Sequence, residues 1–291
     1  MGSCFVENIG ARLRNYGSDI DTNPFGILYN PFSIANALER MLAGRLFSET
    51  ELFRYDGLWH SFSHHGSFSA STPEEALEKI NTRFIPAAQR LRTVNVLLIT
   101  FGTAWVYRRQ DGEEIVANCH KLPERTFVRT RLSVEDIVGR WTPLLQQLQA
   151  ENPGIRFLFT VSPIRHLKDG AHENQLSKAV LLLAIDSLKK HFNIAYFPAY
   201  ELMMDELRDY RFYASDMVHP SEQAIDYIWE RFAASCFGKE TKDIMREVEQ
   251  IRVALAHRPF NADSDEYRRF HKQTLLRKMD LMQRYPNIHL D

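Results

Sequence analysis

Two apolar runs constrain this chain most. Val94–Phe101 (VNVLLITF) and Ile155–Val161 (IRFLFTV) are almost unbroken in apolar residues and are bounded by turn formers. A half-wet strand alternates, whereas a run of this length and continuity fits a parallel strand covered on both faces. Ile194–Phe197 is a weaker third candidate. Helical patterns separate the runs. Pro73–Leu91 has apolar residues at helical spacing, with Thr72 as N-cap and Pro73 at the first position. Ser133–Ala150 opens S-V-E-D, where Ser133 caps and Asp136 takes the place usually held by Glu or Gln in a capping box. Ser177–His191 and Ser221–Phe237 continue the alternation. Strands alternating with helices predict an α/β fold, a parallel sheet between two helical layers. With 44% hydrophobic residues in 291, the chain can bury such a core.

After Cys236 the texture changes. Lys239–Ala256 and Ser264–Arg284 are charged amphipathic helical patterns, parted by a turn at Pro259–Asn261. The expected organisation is one α/β domain over residues 1–236 and a helical extension over 237–291. That extension reads as a helical pair packed on the domain or on a second subunit, a route to oligomerisation.

The charge balance, 36 basic against 37 acidic side chains, leaves no electrostatic footprint for nucleic acid or an anionic membrane. Cys4, Cys119 and Cys236 are too few and scattered for a disulfide framework. No apolar run approaches the roughly 20 residues that span a bilayer. The opening MGSCFVENIGARLRNYG lacks a basic segment followed by an apolar one, so it does not read as a signal peptide. A cytoplasmic protein is expected.

In open α/β sheets, ligands bind beyond the carboxyl ends of the strands. Gly102-Thr103 and Ser162-Pro163 follow the two strong strands, and Pro198, Tyr200 and Glu201 follow the third. Asp216 and His219 lie three residues apart on a loop before the Ser221 helix. Such spacing lets a carboxylate hold Nδ1 of an imidazole while Nε2 points outward, as a base requires. Asp169 and His172 repeat the spacing in a glycine-containing loop. Ser3 and Cys4 precede a helical pattern over Val6–Tyr16, where the helix dipole favours a developing anion. Ser3 could equally be a plain cap, and Cys4 an alternative nucleophile. His60, His64 and His65 with Asp56 admit a metal site. Their glycine- and serine-rich surroundings favour loop residues at a cleft, with Trp59, Phe62 and Phe68 lining it or buried as core. Tyr200, Glu201 and Asp205 would contact substrate or simply open a helix.

Taken together, these segments resemble the GSCFA family, a branch of the SGNH-hydrolase superfamily. The namesake motif stands as Gly2-Ser3-Cys4-Phe5, with Val6 in place of the usual Ala. The resemblance continues through NPFGILYNPFSI (Asn23–Ile34), DGLWHSFSHHGSFS (Asp56–Ser69), TFGTAWVY (Thr100–Tyr107), NCHK (Asn118–Lys121), TVSPIRHLKDG (Thr160–Gly170) and the segment Tyr196–Ser221. It implies an SGNH/flavodoxin-like three-layer fold. It also implies Ser3 as nucleophile, Asp216 and His219 as its acid–base partners, and a Gly26 backbone N–H in the oxyanion hole. The superfamily's G-x-N-D block reads Gly102-Thr103-Ala104-Trp105 here, so its side-chain oxyanion donor is absent. Asn30 and Asn118 are the expected replacements. The family pattern also has a strand leading into the G-S-C-F turn, where only Met1 precedes it here. The expectation is a start further upstream, or a fragment, with Ser3 on a loosely held end.

The implied activity is hydrolysis of a carbohydrate or small-molecule ester without any cofactor. A different class stays open: a ligand- or glycan-binding module on a decayed hydrolase fold, which the missing Asn favours.

Overall fold

The computed structural model describes residues 1–112, 114–261 and 264–290. The chain divides into two compact units, Met1–Glu7 with Thr22–Ile225, and Asn8–Asp21 with the chain from Asp226 onward.

The first unit opens with the start of helix α1 (Cys4–Asn15), then α2 (Pro31–Ala43), a hairpin of β1 (Leu52–Tyr55) and β2 (Leu58–Ser61), and α3 (Pro73–Leu91). Next come β3 (Val96–Phe101), the short strands β4 (Trp105–Arg109), β5 (Ile115–Val116) and β6 (Phe127–Arg131), and α4 (Val134–Glu151). The series ends with β7 (Arg156–Val161), α5 (Gly170–Lys189), β8 (Ile194–Phe197), the single turn α6 (Ala199–Glu201) and the first residues of α7 (Glu222–Cys236). β3, β7 and β8 form a parallel sheet in the order β3-β7-β8, with Phe101 opposite Val161 and Thr160 opposite Phe197. This is the mixed α/β fold, a parallel sheet flanked by helices, that the alternation predicts.

The helical caps match the local chemistry. Thr72 accepts from Glu75 N, and Ser133 and Asp136 form the reciprocal capping box. One expectation needs correction. The helix expected from Ser177 begins at Gly170, so His172 lies in its first turn, not in a loop. A short 3-10 turn, Leu167–Asp169, leads into it, and Arg129 holds Asp169 there through a two-pronged ion pair.

Met1 and Gly2 run parallel to β3. The Met1 ammonium donates to Leu98 O at 2.6 Å, Thr100 N donates to Met1 O at 3.0 Å, and Gly2 bridges Thr100. Ser3 is therefore tied to the sheet rather than carried on a loose end. Gly2 has φ 136°, and a Cβ there would stand 2.2 Å from Thr100 O, so only glycine fits.

The hairpin β1–β2 turns on Asp56 and Gly57, both left-handed at φ 47° and 77°. That is the two-residue turn whose twist suits paired strands. A second small antiparallel sheet, β5-β4-β6, follows Gly102. At the centre of the unit Phe101, Trp141 and Phe159 pack edge to face at 5.1–5.5 Å, and Trp141 Nε1 donates to Pro31 O at 3.2 Å.

The second unit holds the rest of α1 and α7 with α8 (Lys239–Ala256) and α9 (Asp265–Arg284), the two helices expected in the extension. Its core is Val248, Ile251, Leu281 and Leu290, bordered by Tyr16 and Ile288. Tyr16 stacks on Trp229 at 5.7 Å. This unit thus reaches back across the boundary expected at residue 236 to include α7 from Asp226. Among the described residues, no helix is long and apolar enough to cross a membrane.

Candidate active site

The carboxyl ends of β3 and β7 gather most of the unusual polar groups. Ser3 leaves the sheet one residue after the Gly2–Thr100 bridge, level with the end of β3, and α1 starts at the next residue. Its Oγ is buried and has no hydrogen-bond partner. Cys4 beside it is half-buried, and burial raises its thiol pKa, so the thiolate is disfavoured.

Lys178 of α5 is fully buried. Its ammonium donates to Gly102 O at 2.7 Å and Ser162 O at 2.8 Å, clasping the two strand ends. Burial pulls its pKa down to about 7. Gly102 N and Thr103 N in turn donate to Tyr29 O at 2.8 and 3.0 Å. His166 sits beyond β7, with its Nε2 buried and unpartnered. A Cβ placed on Gly102 would stand 3.5 Å from that nitrogen. The Tyr29 ring meets the imidazole edge-on at 5.6 Å. Burial, with Lys178, His219 and Arg129 facing it, drives the His166 pKa down to about 4.

Asp216 and His219 do meet. Asp216 Oδ1 accepts from the backbone N–H of Val218 and of His219, both at 2.9 Å. Its Oδ2 lies 2.6 Å from His219 Nδ1. The two backbone bonds and that side-chain bond hold the Asp216 pKa down to about 2. Asp216 is therefore a carboxylate that can only accept, so Nδ1 carries the proton and Nε2 is left as the basic atom. Arg165 steadies this loop, donating to Met217 O at 2.8 Å and lying over the Tyr213 ring at 4.2 Å. Both residues of the pair are half-exposed, and no hydrogen bond joins His219 to the sealed Ser3 Oγ.

The other expected donors have partners of their own. Gly26 N donates to Asn23 O at 2.8 Å, closing a turn. Asn30 caps α2, accepting from Ser33 N at 2.8 Å and donating to Ser33 Oγ at 2.9 Å. Asn118 Oδ1 accepts from His120 N at 2.8 Å.

The histidine-rich segment is built into an aromatic core. His64 stacks on Phe25 at 4.7 Å with Phe47 against its edge, and burial lowers its pKa to about 3. His60 Nδ1 pairs with Ser69 Oγ at 2.7 Å, and Phe53 stacks on Phe62 at 4.0 Å. Among the described residues, no three His, Cys, Asp or Glu side chains converge as a metal site. In the alternative pair, Asp169 is committed to Arg129. Tyr200 donates to Gln175, and Glu201 accepts the Tyr196 hydroxyl at 2.7 Å. A cleft of about 520 Å³ is lined by Ser67, Phe68, Glu78, Lys79, Thr82 and Arg83, none of them in the group around Ser3.

Sequence reasoning missed the buried Lys178 and the unpartnered His166. His166 lies in a motif segment, but nothing in its spacing separates it from a loop histidine. Lys178 reads as one more charge on a helix.

Fold and site together describe a mixed α/β protein with a serine, an acid–histidine pair and a buried lysine near the carboxyl ends of its parallel strands. The chain belongs to the GSCFA family, whose model matches residues 1–232. Residues 248–291 match the C-terminal domain of GSCFA domain proteins. No curated protein matches the chain.

Proposed function

We propose that the chain is a serine hydrolase acting on ester bonds of a small molecule or carbohydrate. The observation that carries this reading is the Asp216–His219 pair, whose geometry leaves Nε2 as a base. Ser3 Oγ attacks the ester carbonyl carbon as His219 Nε2 takes its proton, and the carbonyl oxygen becomes an oxyanion. Collapse breaks the bond to the leaving oxygen, which departs as an alcohol with the proton from His219. Water, deprotonated by His219, then releases the acid and returns Ser3. Asp216 holds the tautomer and stabilises the imidazolium. The N–H groups at the start of α1, beginning with that of Ser3, suit the oxyanion, since a helix N-terminus favours negative charge. Gly26, Asn30 and Asn118 join them only by leaving their present partners or by using remaining donor capacity. Ser3 is sealed, so ester entry needs a local opening.

Hydrolysis of p-nitrophenyl esters tests the reading. Turnover should vanish in Ser3→Ala and fall by about 10³–10⁴ in Asp216→Asn, through loss of the required tautomer. Equal rates in wild type and Ser3→Ala would refute it.

The sealed and unpartnered Ser3 hydroxyl favours a second reading, a ligand- or glycan-binding module without turnover. It predicts saturable binding that Ser3→Ala leaves intact.

A further inference from the structure

We infer that His166 supplies the side-chain oxyanion donor that Ala104 cannot. The inference rests on the hydrolase reading above and adds a catalytic residue to it.

Three observations converge on the end of β3. Ser3 stands there because Gly2 pairs with Thr100 two residues before Gly102. His166 Nε2 lies at the same strand end, 3.5 Å from the position a Gly102 Cβ would take. Both Ser3 Oγ and His166 Nε2 are buried polar atoms without a partner. Leaving such atoms unpaired costs roughly 1–3 kcal/mol each, and a catalytic role is one reason for retaining them. An oxyanion formed on the Ser3 adduct would accept from both the first turn of α1 and this imidazole.

The environment also suits a neutral donor. His166 meets the Tyr29 ring edge-on, and Lys178 on α5, Arg129 on β6 and His219 on the 214–219 loop contribute to its electrostatic surroundings. Burial, with the Lys178 and Arg129 cations, disfavours the imidazolium, so His166 stays neutral while His219 acts as the base. A neutral imidazole donating from a dry site stabilises a developing oxyanion without giving up its proton. This assigns different tasks to two neighbouring histidines, with only His219 held by a carboxylate.

The test uses the full chain, an alkyl fluorophosphonate probe and two variants. Gln places an amide nitrogen where the imidazole Nε2 stood, and Leu fills the space with no donor. His166→Leu should lose about 10²–10³ in labelling rate. His166→Gln should stay within about tenfold of wild type, because it retains a donor. The pH dependence of labelling in His166→Gln should keep the wild-type shape, since the base is untouched. Circular dichroism checks that both variants are folded. If folded His166→Leu labels as fast as wild type, or His166→Gln is as inert as Leu, the donor role is overturned while the hydrolase reading stands. A shifted pH profile in His166→Gln would make His166 the base and overturn the donor role too. Absence of labelling in wild type would overturn both.

Discussion

At the residue scale the site depends on close approaches that tolerate little change. Gly2 lets the chain run beside Thr100 and then turn into α1, which sets where Ser3 stands. Gly2→Ala adds a Cβ 2.2 Å from Thr100 O at φ 136°. The dihedral alone should cost about 1–3 kcal/mol, and the clash more. Urea unfolding should show at least that loss, and an unchanged midpoint would mean Gly2 does not pack there. The meeting of Asp216 with His219 was legible in the sequence because their three-residue spacing is local. The arrangement of His166 and Lys178 was not legible. It arises from contacts such as Lys178 to Gly102, 76 positions apart, which no local pattern encodes.

At the element scale, some helix starts were readable, but α5 opens at Gly170, ahead of the Ser177 expected for it. Thr72, Ser133 and Ser264 cap α3, α4 and α9, as short polar residues before apolar periodicity should. The hairpin of β1 and β2 escaped notice despite its Asp56-Gly57 signal, because its short strands carry Arg54 and His60 among the apolar residues. Asn30 is the element-scale test of the oxyanion assignment. Its side chain is engaged with Ser33 at the start of α2. Asn30→Ala should therefore cost about 1 kcal/mol, whereas Asn30→Ser keeps a capping oxygen and should recover most of it. If Asn30 serves only as a cap, the Ser variant also keeps its probe-labelling rate. A loss of about 10²–10³ in a stable Asn30→Ser variant would instead make the Asn30 amide the donor.

At the scale of the whole molecule, the first unit buries neutral histidines. Burial holds His64 at about 3, and His120 and His166 at about 4, against about 6.5 in an unfolded chain. Between pH 6.5 and about 4 the unfolded chain binds protons at these sites that the folded chain does not. Stability is therefore complete above about pH 6.5 and declines as pH falls, by up to about 1.4 kcal/mol per pH unit for each site. The urea midpoint should drop between pH 7 and 5. His64→Phe, which suits a position among Phe25, Phe47 and Phe68, should make that drop shallower. A midpoint independent of pH over this range would contradict the buried neutral state. The parallel sheet was legible from two apolar runs, and the helical pair from its periodicity. The division into units was not, because the second unit recruits Asn8–Asp21 from far away in sequence.

On the proposed reading, Ser3 is a nucleophile served by Asp216 and His219. Labelling with a fluorophosphonate, followed by peptide mass mapping in wild type, Ser3→Ala and His219→Ala, tests it most directly. A single adduct on Ser3 is expected in wild type and none in either variant. A wild-type protein that remains unlabelled, or an adduct that persists when Ser3 is replaced, would contradict it.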